Sequence, residues 1–213
     1  NITIIGGEVR PAYDRVHLSE FFSGRAAEDL ALTTVDYYRD AGVEAHFGDP
    51  VASINRVMKT VTTETGQVIN YDKLVLATGS YPFVPPVPGN DLEPCVVYRT
   101  IDDLVDIQSQ AEGAKIGVVV GGGLLGLEAA NAVKNLGLET HVVEFAPGLM
   151  GVQLDAGGSA MLRRKIEALG VKVHTSKATQ LIEPLPNSAI GSEPGTSETR
   201  LAMHFADGES LGT

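Results

Sequence analysis

The chain opens on an apolar run, Ile2-Thr3-Ile4-Ile5, whose brevity and β-branching predict a buried strand. A polar, aromatic-bearing loop over 9–15 follows, and residues from about 26 to 41 are expected to form a helix. Short runs at 50–55, 59–63 and 67–71 predict three strands, with Thr65-Gly66 as a turn between the last two. Leu74-Val75-Leu76-Ala77 predicts a further, strongly apolar strand that ends at Thr78-Gly79. Residues 82–94 hold five prolines and one glycine, a composition that favours an extended connector and a seam between domains.

Beyond that seam the pattern alternates strand, helix, strand, helix, strand. The strands are expected at 116–120, 139–144 and 171–175, and the helices at 124–136 and 154–169. Gly137 and Gly170 sit just past the two helices, where a left-handed closing residue favours glycine. Such alternation predicts an α/β fold with a parallel sheet wound by helices. Residues 185–199, rich in Pro, Ser, Gly and Thr, are expected to form a long mobile loop between strands. From 201 to 209 the pattern is a strand entering an Asp207-Gly208 turn, with its return strand running to Thr213. Because the chain starts and stops within predicted strands, it is expected to be the middle of a longer polypeptide.

Composition narrows the function. Of 213 residues, 16 are basic and 27 acidic, a net charge of −11 that disfavours nucleic acid as a partner, since phosphates demand an excess of Lys and Arg. No apolar stretch is long enough to span a membrane, and no secretory signal is visible, so a cytoplasmic location is expected. The single cysteine, Cys95, allows no internal disulfide, CxxC pair or zinc site, and implies a reducing compartment. Five histidines (17, 46, 141, 174 and 204) show no metal-binding spacing, and no metal site is expected. His141 and His174 fall on predicted strands and are expected to be packing residues. Asp102, Asp103 and Asp106 are expected at a helix start, where they complement the helix dipole.

The chemistry lies in Gly121-Gly122-Gly123-Leu124-Leu125-Gly126, a GxGxxG run placed between a buried strand and a helix. In that setting Gly121 permits the tight turn, Gly123 lets backbone approach a pyrophosphate, and Gly126 lets helix lie close to strand. The phosphates then meet the helix N-terminus, including the amides of Leu124 and Leu125. Glu144 ends the second strand, twenty-three residues beyond Gly121, where an acid binds ribose hydroxyls. It would repel a 2′-phosphate, and no Arg or Lys occurs over 145–162, so NADH is expected over NADPH.

Other segments carry a resemblance. Ile2 through Glu8, Tyr13-Asp14-Arg15 with Leu18-Ser19, Leu76 through Pro82, and Val97 through Asp103 resemble, in order, stretches of the FAD-dependent pyridine nucleotide reductases. That resemblance implies two Rossmann-like dinucleotide-binding domains, both incomplete in this chain: FAD-binding over 1–98 and NADH-binding over 99–213. It implies that Glu8 contacts the FAD adenosine ribose and that Arg15 lies near its phosphates or adenine. Ala52 would contribute a backbone contact, Thr78 and Gly79 would lie beside the flavin nucleotide, and Arg99 would add a further FAD contact. Glu128 matches the family's helix acid facing the nicotinamide. Within the family, residues 12–19, 121–130 and 144–147 are most similar to the nitrite-reducing branch, where siroheme and a 4Fe-4S cluster would lie outside this chain.

No catalytic side chain is expected, because the cofactors carry the hydride chemistry and the protein positions them. The expected partners are NADH and an electron-accepting domain or protein; pairing of two copies is left open. Two departures bear on the acceptor. Position 20, where relatives that reduce ferredoxins often carry lysine, is Glu20, and the cysteines of the family's disulfide, peroxide and CoA chemistry are missing. The alternatives are a stand-alone rubredoxin or ferredoxin reductase, an NADH oxidase, and a non-catalytic NAD-binding sensor.

Overall fold

The computed structural model describes residues 1–185 and 200–213; the loop expected over 185–199 falls almost wholly outside the described residues. The chain divides into two compact units, 1–18 with 25–80, and 19–24 with 81–213.

In the first unit, β1 (Ile2–Gly6) pairs in parallel with β2 (Val43–Phe47), from Ile2 opposite Val43 to Gly6 opposite Phe47. A parallel pair needs a crossover. Here it contains a 3₁₀ turn, Ala27–Leu30, anchored by the buried Leu30, and a short helix, α1 (Val35–Asp40), in place of the expected continuous helix over 26–41. The break has a local cause. The Thr34 hydroxyl accepts the Tyr37 amide at 3.1 Å, which makes Thr34 a helix cap rather than a helix interior. Strand β2 itself is legible in hindsight, since Val43, Ala45 and Phe47 alternate with Glu44 and His46. Phe47 packs its ring 5.7 Å from Tyr38 of α1.

The three expected strands are present as β3 (Val51–Asn55), β4 (Thr60–Thr63) and β5 (Val68–Asn70), and they pair as an antiparallel meander. Leu74–Ala77, expected as a strand, pairs with no other described strand, and Val75 and Leu76 are largely exposed. An apolar, β-prone run becomes a strand only when a neighbour takes up its backbone groups.

The second unit holds the expected alternation. Helix α2 (Ile101–Ala111) opens with a reciprocal cap, the Thr100 hydroxyl accepting from the Asp103 amide and the Asp103 carboxylate accepting from the Thr100 amide. Asp102 and Asp103 are thus in the first turn, where the dipole favours them, whereas Asp106 lies in the second turn; Ile101 and Leu104 are fully buried. Thr100→Ala removes one half of this cap and is expected to lower stability by about 1 kcal/mol, read as a fall in Tm.

Next come β6 (Ile116–Val120), α3 (Leu124–Asn135), β7 (Glu139–Val143), α4 (Ala156–Ala168) and β8 (Lys172–His174). Strands β6, β7 and β8 run parallel with β7 in the middle. The two-residue period of β7 sends neighbouring side chains to opposite faces. Val142 packs with Ala130, Leu149, Val171 and Val173, joined by Leu127, Leu162 and Ile166 of α3 and α4. Val143 packs instead with Met203 and Phe205, joined by Ile182 and Leu211. That second face is covered by an antiparallel sheet of β9 (Thr179–Pro184), β10 (Leu201–Phe205) and β11 (Ser210–Gly212). The hairpin turning at Asp207-Gly208 is as expected.

The proline-rich connector is fastened to this rear sheet. The Ile182 amide donates to the Pro88 carbonyl at 2.9 Å, and the backbones lie so close that a Cβ on Gly89 would stand 1.9 Å from the Ile182 carbonyl oxygen.

Candidate functional site

The glycine loop leaves β6 and enters α3 with its ligand-facing side open. Gly121 has a φ of +116°, a conformation that glycine alone adopts without strain. A Cβ built on Gly121 or Gly123 would touch nothing within 4 Å. At the two other glycines the protein fills the space. A Cβ on Gly122 would stand 2.5 Å from the Leu149 side chain, and one on Gly126 would stand 2.0 Å from the Gly121 carbonyl oxygen. The glycines therefore divide between those that admit helix and neighbour and those that leave a cradle.

Gly123 caps α3 with extended backbone and offers no side chain to the first-turn amides. Those N–H groups, with Leu124 and Leu125 largely exposed around them, can receive an anion that the helix dipole also favours. Glu144 borders the cradle. Its carboxylate accepts from the Gly122 amide at 2.5 Å and from the Ala146 amide at 2.7 Å. Two backbone donors fix the side chain, while an ionised carboxylate keeps further acceptor sites for hydroxyl groups. The backbone of β8 supports the same segment, the Glu144 amide donating to the His174 carbonyl at 2.8 Å.

Glu128 lies on α3, half-buried, and accepts a hydrogen bond from the Tyr98 hydroxyl at 3.0 Å. Burial, followed by the charge of Glu128 and the bond to it, pushes the Tyr98 phenol well above its ordinary range. Tyr98 therefore remains a donor across the working pH range. Sequence reasoning did not single it out; the available signal was a tyrosine in the junction just before α2. Arg99, the neighbouring candidate, is half-buried and has its own polar partner.

In the first unit, Glu8 follows the end of β1 and gathers two donors. Tyr13 donates its hydroxyl to Glu8 at 2.6 Å, Arg15 pairs with the other carboxylate oxygen, and the Arg15 guanidinium lies 4.7 Å over the Tyr13 ring. This brings Glu8 and Arg15 together and adds Tyr13, buried although it lies in a loop between β1 and α1. Ala52 is exposed on β3, and Thr78 and Gly79 are exposed in irregular backbone, with Gly79 at a φ of +68°. A carboxylate with acceptor sites to spare, paired with a guanidinium, suits the ribose hydroxyls and the diphosphate of a dinucleotide.

Other candidates are structural. His141 is buried and stacks on His174 with ring centroids 5.1 Å apart, their nitrogens 3.0 Å from each other, while the second His141 nitrogen meets Glu139 at 2.9 Å. Arg163 of α4 bonds Glu167, Thr175 and the Val173 carbonyl. Among the described residues no group of side chains could hold a metal ion, and no helix is long and apolar enough to cross a membrane.

A parallel strand–glycine turn–helix–strand unit followed by an acid has the form of a dinucleotide-binding unit of the Rossmann-like α/β class. More particularly, the chain belongs to the pyridine nucleotide-disulphide oxidoreductase family, whose sequence pattern matches residues 1–204. It is 57% identical, over its whole length, to the nitrite reductase [NAD(P)H] large subunit of Klebsiella oxytoca, of which it covers 21%. It is 51% identical, over 99% of its length, to the nitrite reductase (NADH) large subunit of Escherichia coli K12, of which it covers 24%. The chain thus spans about a fifth to a quarter of the length of these curated relatives. Among solved structures, the ferredoxin reductase for the CYP199A2 system of Rhodopseudomonas palustris matches 99% of this chain and 50% of its own, at a TM-score of 0.84 and 26% identity. NADH:rubredoxin oxidoreductase from Clostridium acetobutylicum matches 83% of this chain and 47% of its own, with a TM-score of 0.77 and 28% identity.

Proposed function

We propose that this chain is the nucleotide-handling module of an FAD-dependent NADH:acceptor reductase, and that the acceptor is the nitrite-reducing centre of a cytoplasmic nitrite reductase large subunit. The observation that carries the reading is the open cradle at Gly121 and Gly123 with Glu144 locked beside it by two backbone amides. An NADH pyrophosphate fits over the first turn of α3, and the adenosine ribose hydroxyls donate to Glu144. The same carboxylate repels a 2′-phosphate, so NADH is the nucleotide of choice. Glu128 faces the nicotinamide side of the site.

Residues 1–98 supply FAD contacts, with Glu8 on a ribose, Arg15 toward the diphosphate or adenine, and Ala52, Thr78 and Gly79 around the remaining nucleotide; Arg99 adds a further contact. When bound, the flavin takes up hydride and hands its electrons on singly. The chain's own part is to bind, orient and exclude water. The identities to nitrite reductase large subunits favour nitrite over a rubredoxin or a ferredoxin as the final destination. Siroheme and a 4Fe-4S cluster belong, on this reading, to residues outside the present sequence.

Rapid mixing of the full-length protein with NADH tests the proposal. The flavin absorbance is expected to bleach in a single saturable phase, and much more slowly per mole of NADPH. A colourless protein that nevertheless binds NADH would support the non-catalytic sensor instead. A yellow protein that NADH does not bleach would remove the hydride step.

A further inference from the structure

Glu128 needs something to hold it, because a half-buried helix carboxylate without a partner samples several rotamers. The structure supplies that support from a distant part of the second unit. Tyr98, which precedes α2, donates its hydroxyl to one Glu128 oxygen at 3.0 Å. The Ser19 side chain, on the 3₁₀ turn Leu18–Ser23, hydrogen-bonds the same Tyr98 oxygen. Three separate segments of chain thus converge on one phenol, which is half-buried and keeps its proton.

We propose that Tyr98 is the positioning residue of the reductase site: with Ser19 behind it, it fixes the Glu128 carboxylate toward the nicotinamide without cancelling its charge. The inference rests on the NADH-binding reading above and deepens it. Glu128 lies five residues beyond the α3 cap at Gly123, about 7.5 Å along the helix axis at 1.5 Å per residue. That displacement carries it away from the pyrophosphate seat by roughly the width of a ribose.

The nature of the donor matters as much as its position. A lysine or arginine would neutralise Glu128, whereas a tyrosine orients it and leaves the negative charge in place. A nicotinamide ring gains positive charge as it gives up hydride, so a fixed, ionised carboxylate beside it stabilises the transition state more than the reduced ring. The unbonded Glu128 oxygen also retains acceptor capacity for the carboxamide N–H of the same ring. Tyr98 touches neither nucleotide nor reacting atom in this scheme. It acts through Glu128.

The test is a double-mutant cycle in the full-length holoenzyme, using Tyr98→Phe, Glu128→Gln and the pair together. Two readouts are needed: the rapid-mixing rate of flavin bleaching by NADH, and calorimetric affinities for NAD⁺ and for ADP-ribose, which lacks the nicotinamide. Y98F is expected to slow bleaching about tenfold, the scale of a lost hydrogen bond to a charged group, with little change in KM. E128Q is expected to slow it at least as much, and the double variant no further than E128Q alone. All three are expected to bind ADP-ribose as the wild type does, while NAD⁺ affinity falls.

Y98F at the wild-type rate, or a double variant whose losses multiply, overturns the proposal. Should Y98F fail to fold, Ser19→Ala serves in its place: a rate about threefold lower is expected, and an unchanged rate overturns the proposal. If the wild-type protein fails to bind ADP-ribose at all, it is the NADH-binding reading that falls. A protein that binds ADP-ribose with a silent Y98F loses only the role of Tyr98.

Discussion

Gly123→Ala is expected to weaken NADH binding by at least tenfold while lowering Tm by no more than a few degrees. At this position the backbone φ is −82°, which alanine adopts freely, and a Cβ would meet no protein atom within 4 Å. The methyl group would project into the cradle, where it holds the pyrophosphate away from the helix N-terminus. Alanine is a poorer cap than glycine, a loss of about 0.5–1 kcal/mol. Gly126→Val should behave differently. Its Cβ would stand 2.0 Å from the Gly121 carbonyl oxygen, a backbone atom, so the loop or the start of α3 must move. Both NADH affinity, by about a hundredfold or more, and Tm are expected to fall. Titration of nucleotide alongside thermal melts checks the pair. If G123A bound NADH as the wild type does, the cradle would not be the pyrophosphate site.

The second large effect is at Glu144. Glu144→Ala is expected to reduce kcat/KM for NADH by about ten- to a hundredfold, the scale of one lost charged hydrogen bond or more. The same change is expected to improve NADPH relative to NADH, because the carboxylate that opposes a 2′-phosphate is gone. A further penalty follows from the structure. The Gly122 amide, on a buried residue, loses its acceptor at 2.5 Å, so the loop itself loosens and Tm falls. Glu144→Gln retains one acceptor oxygen, enough for only one of the two backbone amides, and should recover part of the Tm but not the selectivity. Steady-state kinetics with both nucleotides decides it, and equal kcat/KM values in the wild type would defeat the assignment.

The second unit was the more legible from sequence because its signals are local. The strands at 116–120 and 139–143, the helix after Gly123 and the reciprocal cap at Thr100 each follow from a few adjacent residues. Regions that depend on distant pairing were harder. Leu74–Ala77 has the composition of a strand but lacks a described partner, and Thr34 divides an apparently helical stretch by taking the cap position. The site shows the same division. The spacing of Gly121, Gly126 and Glu144 was readable, whereas the Tyr98–Glu128 bond joins residues thirty apart and the Glu8, Tyr13 and Arg15 cluster depends on how a loop folds back.

Strand β7 contributes successive valines to cores on its two opposite faces, and Glu144 is the next residue along. Opening that strand locally would strip both cores together, so the glycine loop and its acid hang from the part of the unit least prone to partial unfolding. A seat suspended in this way is ordered before any nucleotide arrives, and association need not spend free energy stiffening it.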